Sequence, residues 1–349
     1  MRKELLQAVN RVLSHGRIIL GPEVRQFEKQ LMQFCQKKYA IGVNSGTDAL
    51  YLALRSLNIG PGDEVITTPL SWIATVNAIA VCGATPVFVD ISEDLNINVD
   101  LIEAAITPKT KVILPVHFTG KLCNILRIME IAAKHDIFVV EDSAQSFGAH
   151  INGAMAGSFG HINCFSMNPM KVLCSYGESG AVVTDDEHLY QKIMSLRYAG
   201  TVNKENCYYP SLNDRIDTIQ AAMILVNLKY LTKKIELRRK IAKFYTQALK
   251  DVVICPEEDD SSHVYYSYTI IAEKRDELKE YLCSKGIETK IQHPILMPYH
   301  TAYRHLSKFS IPVAESLVNK ILCVPNEENL TFKQANYVVN CIKEFYGAC

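Results

Sequence analysis

From Tyr39 to about residue 200 the chain alternates short runs rich in β-branched residues with longer segments that carry apolar side chains at helical spacing. A short buried run satisfies its backbone polar groups only by pairing with other runs. Where helical segments separate the runs, the pairing is mostly parallel, and the crossovers become helices. The pattern therefore predicts βαβ units with helices on both faces of one sheet. The expected strands are Tyr39–Val43, Glu64–Thr67, Thr85–Val89, Val112–Pro115, Phe138–Glu141, Asn163–Phe165 and Gly180–Thr184. The expected helices are Asp48–Leu57, Ala74–Val81, Val99–Ala105 and Ile125–His135, each entered or left through Gly, Pro or Asp.

A long charged helical pattern, Thr218 to Leu249, closes this region, and the rhythm then changes. A strand (Val264–Ala272), a helix (Lys274–Lys285), a short strand (Glu288–Gln292) and two further helices read as a small α+β unit. The division expected is a large α/β domain, 1–235, and a small C-terminal domain, 236–349. A chain of 349 residues, 48% of them hydrophobic, is ample for both.

Charge and cysteine usage narrow the function. The 37 basic residues balance 37 acidic ones, so no global field draws nucleic acid or an anionic membrane, and any phosphate must be held by local geometry. The 11 cysteines are scattered, odd in number and never spaced C-x-x-C, which argues for reduced thiols and against a disulfide framework or a zinc site; no metal is expected. The start, Met1–Asn10, is amphipathic rather than an apolar signal core, and no run of about twenty apolar residues follows. A soluble, cytoplasmic protein without membrane or nucleic-acid partners is the expectation.

Three local motifs carry chemistry. In Tyr39–Leu50 an apolar strand breaks at Ser45-Gly46 and a helix restarts near Thr47, so Gly46, Thr47 and Asp48 are candidates to cradle a phosphate at a helix N-terminus. An ordinary capped turn is the alternative; the dinucleotide and NTP glycine fingerprints are absent. In Ile137–Gly148 a buried strand ends in Glu141-Asp142, at the edge where open α/β sheets bind ligands. Asp142 there either keeps a heterocyclic nitrogen protonated or caps the following turn.

The third is Lys171, set between an apolar run and the glycine turn before the strand Gly180–Thr184. Taken alone it reads as a salt-bridged or snorkelling lysine. Desolvated, it would have a lowered pKa and a neutral amine able to condense with an aldehyde. Pyridoxal 5'-phosphate supplies that aldehyde, a phosphate for the Ser45–Asp48 turn and a ring nitrogen for Asp142, and Ser166 could add a hydroxyl to the phosphate. Trp72, the only tryptophan, follows a strand end and either stacks on the cofactor ring or belongs to the core.

In this order the residues resemble the DegT/DnrJ/EryC1/StrS family of pyridoxal-phosphate-dependent nucleotide-sugar aminotransferases. The similar phrases include Asn44–Leu50, Ile59–Ile66, Gly83–Asp90, Ile113–Gly120, Glu141–Gln145 and the Lys171 segment. The resemblance implies an aspartate-aminotransferase-like fold (type I), with a mixed, mostly parallel sheet in the large domain. It makes Lys171 the lysine that binds the cofactor aldehyde, Asp142 the partner of the ring nitrogen, Gln145 a contact to the ring hydroxyl and Trp72 the stacking residue. Gly46, Thr47, Asp48 and Ser166 match phosphate contacts. Asn213 matches an asparagine that reaches the cofactor phosphate of the neighbouring subunit, implying a homodimer with shared active sites. His293, in Lys290–Pro294, lies where relatives touch the sugar; a solvent-facing loop histidine is the alternative. Two departures, Ser179 in place of a glycine and Ser166-Met-Asn-Pro in place of a Ser-Phe-aromatic run, bear on the shape of the sugar pocket.

The activity implied is transfer of the amino group of L-glutamate to a keto deoxysugar linked to UDP or dTDP, forming an amino sugar for surface glycan biosynthesis, in two half-reactions. A dehydratase on the same scaffold would carry histidine in place of Lys171. A non-catalytic cofactor-binding regulator and a transaminase of free small molecules are the remaining alternatives.

Overall fold

The computed structural model describes residues 1–203, 205–258, 261–306 and 309–348. Seven strands form the central sheet in the order Tyr39–Val43, Gly180–Thr184, Ile162–Ser166, Phe138–Asp142, Thr110–Leu114, Glu64–Thr67, Thr85–Phe88. Gly180–Thr184 runs antiparallel to both neighbours, and the other adjacent pairs are parallel. The strand side chains alternate between two cores, as a period of two requires. Ile41, Val43, Val65, Val112, Val140 and Val182 pack under the helices Gly46–Ser56, Ala74–Val81 and Glu187–Arg197. Ala40, Ala181 and Val183 face Pro22–Cys35 and Thr218–Leu228, and Ile66, Ile113 and Val139 on that same side of their strands face Ile125–His135. Helices therefore cover both faces.

A smaller α+β unit is built on the antiparallel pair Tyr268–Ile271 and Ile321–Val324. Ile241, Tyr245 and Leu249 of the helix Leu231–Leu249 pack with Tyr268, Ile270, Leu278, Leu322 and Val338 in a core of their own.

Four elements differ from expectation. The long helical pattern breaks after Leu228, with Lys229 and Tyr230 closing 3₁₀-type bonds to Val226 and Asn227. The buried Asn227 amide is tied to the Cys174 carbonyl at 2.7 Å, and the break lets the next helix leave the first core for the second. Val99–Ala105 forms two single 3₁₀ turns, because Asn98 caps Asp100 N–H and the chain runs straight on into the next strand. The strand expected over Val264–Ala272 shortens to Tyr268–Ile271, since Val264 and Ser267 bond instead to the Thr119–Gly120 backbone. Glu288–Gln292 is not a strand: only Lys290 bridges, to Cys323.

Candidate active site

All the candidate motifs leave the same edge of the sheet. Val43 and Ser166 both pair with Gly180, and Asp142 pairs with Cys164, so the turn after Val43, the acid at the end of Phe138–Asp142 and the loop before Gly180 converge. The reason is topological: the carboxyl ends of parallel strands lie together at this edge, and the reversed strand begins there.

At one end sits the helix Gly46–Ser56. Ser45 is its N-cap, accepting from Asp48 N–H at 3.0 Å, while the first-turn N–H groups have no helical acceptor. The helix start is pressed against its neighbours. A Cβ on Gly46 would lie 2.6 Å from Ser166 Cβ, and one on Gly180 would lie 2.3 Å from the Ser45 carbonyl oxygen. Ser166 Oγ accepts from Asn168 N–H at 3.4 Å. Burial raises the Asp48 carboxyl. Asp214, whose backbone oxygen accepts from Asn44, is pushed up to about 7 by burial and by Asp48.

Asp142 is buried at the middle of the edge. Its Oδ2 accepts from Thr75 Oγ1 at 2.9 Å, and its Oδ1 accepts from Ala144 N–H at 3.2 Å. Burial nevertheless raises its carboxyl, with Thr75, Ala144 and the charges of Lys171 and His117 offsetting only part. A carboxylate in that condition gains most from a cationic partner brought against it. Just behind, His117 and Glu141 form a fully buried pair at 2.8 Å, and Glu141 also accepts from the backbone N–H groups of Gly157, Phe159 and Gly160. Desolvation alone would lower His117; the Cys123 sulfur and the Glu141 carboxylate reverse the sign and push it up to about 10.

Lys171 is half-buried on a loop held by Lys171 N–H to the Asn168 carbonyl (2.9 Å) and Met167 N–H to the Ser179 carbonyl (2.8 Å). The Ser179 hydroxyl is buried and has no partner among the described residues. Burial pulls the Lys171 ammonium down to about 8, opposed by Asp142 and reinforced by Lys290. Its Nζ lies 4.7 Å from the centre of the Tyr266 ring. Tyr266 is set there by Gly120, where a Cβ would come within 2.9 Å of Tyr266 N and whose φ of 96° suits glycine.

Gln145 is buried, and its Oε1 accepts from Thr119 N–H at 2.9 Å. Trp72 is not a core residue. It is 61% exposed, its ring 5.8 Å from that of His293, which in turn lies 5.8 Å from Phe118. His293 is not a solvent-facing loop residue either: its Nε2 is buried without a partner among the described residues, and burial with the charges of Lys171 and Lys290 pulls it down to about 4. Asn213 stands apart. It is exposed, its Oδ1 accepts from Arg215 Nε at 2.6 Å, and it makes no hydrogen bond to the other candidates among the described residues.

The residues missed in the sequence are Thr75, Tyr266 and Lys290. Thr75 follows three residues after Trp72 behind a strand end, the one signal available for it; Lys290 opens the stretch Lys290–Pro294 that the resemblance marks, and Tyr266 carries no signal.

The donor set fits pyridoxal 5'-phosphate on structural grounds: a helix start with no room for a Cβ at Gly46, a buried carboxyl raised by burial, and a lysine that burial pulls down to about 8 and on which that carboxyl's charge acts. Among the described residues there is no cluster suited to a metal ion, and no helix is long and apolar enough to cross a membrane.

The family model of the DegT/DnrJ/EryC1/StrS aminotransferase family matches residues 1–343. A protein of Geobacillus stearothermophilus named "Pleiotropic regulatory protein" is 37% identical over 99% of this chain and 95% of its own. The dTDP-3-amino-3,4,6-trideoxy-alpha-D-glucose transaminase of Streptomyces venezuelae is 37% identical over 99% and 93%. The UDP-N-acetyl-3-dehydro-alpha-D-glucosamine 3-aminotransferase of Acidithiobacillus ferrooxidans is 37% identical over 98% and 94%. The solved structure of ntda from Bacillus subtilis with bound cofactor PMP superposes with a TM-score of 0.94 at 30% identity, covering 99% of this chain and 82% of that one.

Proposed function

The chain belongs to the DegT/DnrJ/EryC1/StrS aminotransferase family, and from that premise we propose that it moves the amino group of L-glutamate to a keto deoxysugar linked to UDP or dTDP. The protein is a pyridoxal-phosphate-dependent aminotransferase. The observation that carries the reading is Lys171, half-buried, pulled down to about 8 and electrostatically coupled to the buried Asp142.

When bound, the cofactor supplies an aldehyde for the amine and a protonated ring that takes up the negative charge left when a proton leaves carbon. The residues do the rest. The first turn at Gly46, Thr47 and Asp48, with Ser166, binds the phosphate. Asp142, oriented by Thr75, would hold the proton on the ring nitrogen. Gln145 would meet the ring hydroxyl, and Trp72 would stack on the ring and shield it from water. Lys171, neutral often enough near pH 7, takes a proton from the amino donor's carbon and returns one to the sugar carbon. His293 contacts the sugar. The reading includes a cytoplasmic homodimer in which Asn213 completes the phosphate site of the neighbouring subunit, a division into domains 1–235 and 236–349, and a role in surface glycan assembly.

The test is a two-stage reaction: holoprotein treated with L-glutamate, then with UDP- and dTDP-linked 3-keto and 4-keto deoxysugars, the products identified by mass spectrometry and NMR. Amination of one of these sugars is expected. A regulator without catalysis, the reading favoured by the name of the Geobacillus relative, would give a visible absorption band that glutamate never shifts. A transaminase of free small molecules would turn over without any nucleotide-linked ketone.

A further inference from the structure

Gln145 ends the polar phrase Glu141-Asp142-Ser143-Ala144-Gln145, and the fold buries its side chain. An amide has a donor end and an acceptor end, so the end it turns toward a ligand decides what it can recognise. One neighbour fixes that choice. The Thr119 backbone N–H can only donate, and it lies 2.9 Å from Gln145 Oε1. Nε2 is therefore the end turned elsewhere, and among the described residues it meets no acceptor.

The smaller unit imposes the same orientation a second time. Gln292 is buried, and its Nε2 lies 3.5 Å from the same Gln145 Oε1, where only a donor is tolerated. Its Oε1 is thereby turned to Cys323, whose thiol donates to it at 3.4 Å. Burial raises the Cys323 thiol, so it keeps the proton it donates. With that proton committed, the sulfur accepts from Thr269 Oγ1 at 3.2 Å, and Thr269 Oγ1 accepts from Ser267 Oγ at 3.1 Å. Every donor in the row points the same way, from Ser267 to Gln145, and the polarity follows from one backbone N–H. The backbone beneath is fixed as well. Thr269 and Cys323 are register partners in the antiparallel pair, and Lys290, two residues before Gln292, exchanges backbone hydrogen bonds with Cys323 at 3.0 and 2.9 Å.

We infer that Gln292 is a positioning residue: it locks the Gln145 amide with Nε2 free to donate to the cofactor's ring oxygen, which is thereby held in its ionised form. The inference rests on the reading that Gln145 meets the ring hydroxyl. Thr119 and Gln292 together occupy both acceptor positions of Gln145 Oε1, so the amide presents a donor and never an acceptor. A donor aimed at an oxygen that can ionise favours its charged form.

The test compares pyridoxal 5'-phosphate with its 3-deoxy analogue, which lacks the ring hydroxyl, by fluorescence titration of the cofactor-free full chain. The quantity read is the ratio of the two affinities. Gln145→Met should shrink that ratio about tenfold, the low end for a hydrogen bond to a charged group. Gln292→Met should shrink it about fivefold, the worth of one neutral hydrogen bond, and should leave the affinity for the analogue within about twofold of wild type. Cys323→Ala, which removes the donor that orients Gln292, should shrink the ratio in the same direction and keeps the question answerable if Gln292→Met folds poorly. In cofactor-loaded protein, the pH midpoint of the visible band should rise in Gln145→Met and Gln292→Met alike. A ratio that Gln292→Met leaves unchanged while Gln145→Met shrinks it overturns the inference and leaves the ring contact standing. Equal weakening of cofactor and analogue in Gln292→Met overturns it too, since that is the mark of a merely structural role. A ratio that Gln145→Met leaves unchanged removes the ring contact and the inference with it.

Discussion

Lys171 is the residue whose titration is most worth measuring, because the two readings of it differ by orders of magnitude. At about 8, roughly one Lys171 in ten is neutral at pH 7, against roughly one in 2,500 for a lysine at its ordinary value of about 10.4. Only the neutral amine attacks an aldehyde. The rate at which cofactor-free protein captures pyridoxal, followed by stopped-flow absorbance with Lys171→Ala as the blank, should therefore track the neutral fraction. It should rise about fivefold from pH 7 to 8 and less than about twofold from pH 8 to 9. An ordinary lysine would give close to tenfold for each unit over the whole range. Asp142→Asn removes the charge that resists desolvation of Lys171, so the bend in that variant should move below its wild-type position. A profile that climbs tenfold per unit through pH 9, or a bend that Asp142→Asn leaves in place or moves upward, would refute the claim that burial opposed by Asp142 sets this amine.

Three further outcomes follow from the packing. Trp72→Ala should leave the melting temperature of the cofactor-free protein nearly unchanged, since so exposed a ring contributes within about 0.5 kcal/mol; fluorescence titration should find the cofactor bound about fivefold more weakly, the loss of about 1 kcal/mol of ring stacking. Gly180→Ala drives a methyl group into the Ser45 carbonyl and should cost about 1–3 kcal/mol in denaturant unfolding along with cofactor affinity, whereas Gly60→Ala, whose nearest neighbour would be 3.8 Å away, should cost neither. Glu141→Gln leaves His117 buried without its ion and should destabilise by about 3–5 kcal/mol. Because the folded His117 is raised above its ordinary value, its contribution is complete near and below about pH 6.5 and is lost as pH climbs through about 10; the gap between wild type and variant in unfolding experiments should close over that alkaline window.

How much of this was legible in the chain follows from the range of each interaction. Strand and helix patterns are local, so the sheet strands were readable to within a residue or two, and Ala74–Val81 and Ile125–His135 to the residue. The errors fall where a distant partner overrides local preference. Asn227, bonded to Cys174, marks where the long helical pattern divides. Val264 and Ser267, bonded to Thr119 and Gly120, leave the strand they should have begun.

The same division runs through the site. Sequence alone determined which chemistry was available and its order along the chain, because a strand end, a helix start and a lone lysine before a glycine turn are each marked by adjacent residues. Tertiary structure alone decided the electrostatics. Thr75 reaches Asp142 across 67 positions, and no local pattern announces that contact. Tyr266 lies under Lys171 because a loop of the smaller unit threads past Gly120, and charges distant in sequence, Asp142 and Lys290, act on the same amine. Desolvation and the fields of charges depend on distance in space, which a linear chain does not carry until the sheet and the smaller unit have packed together.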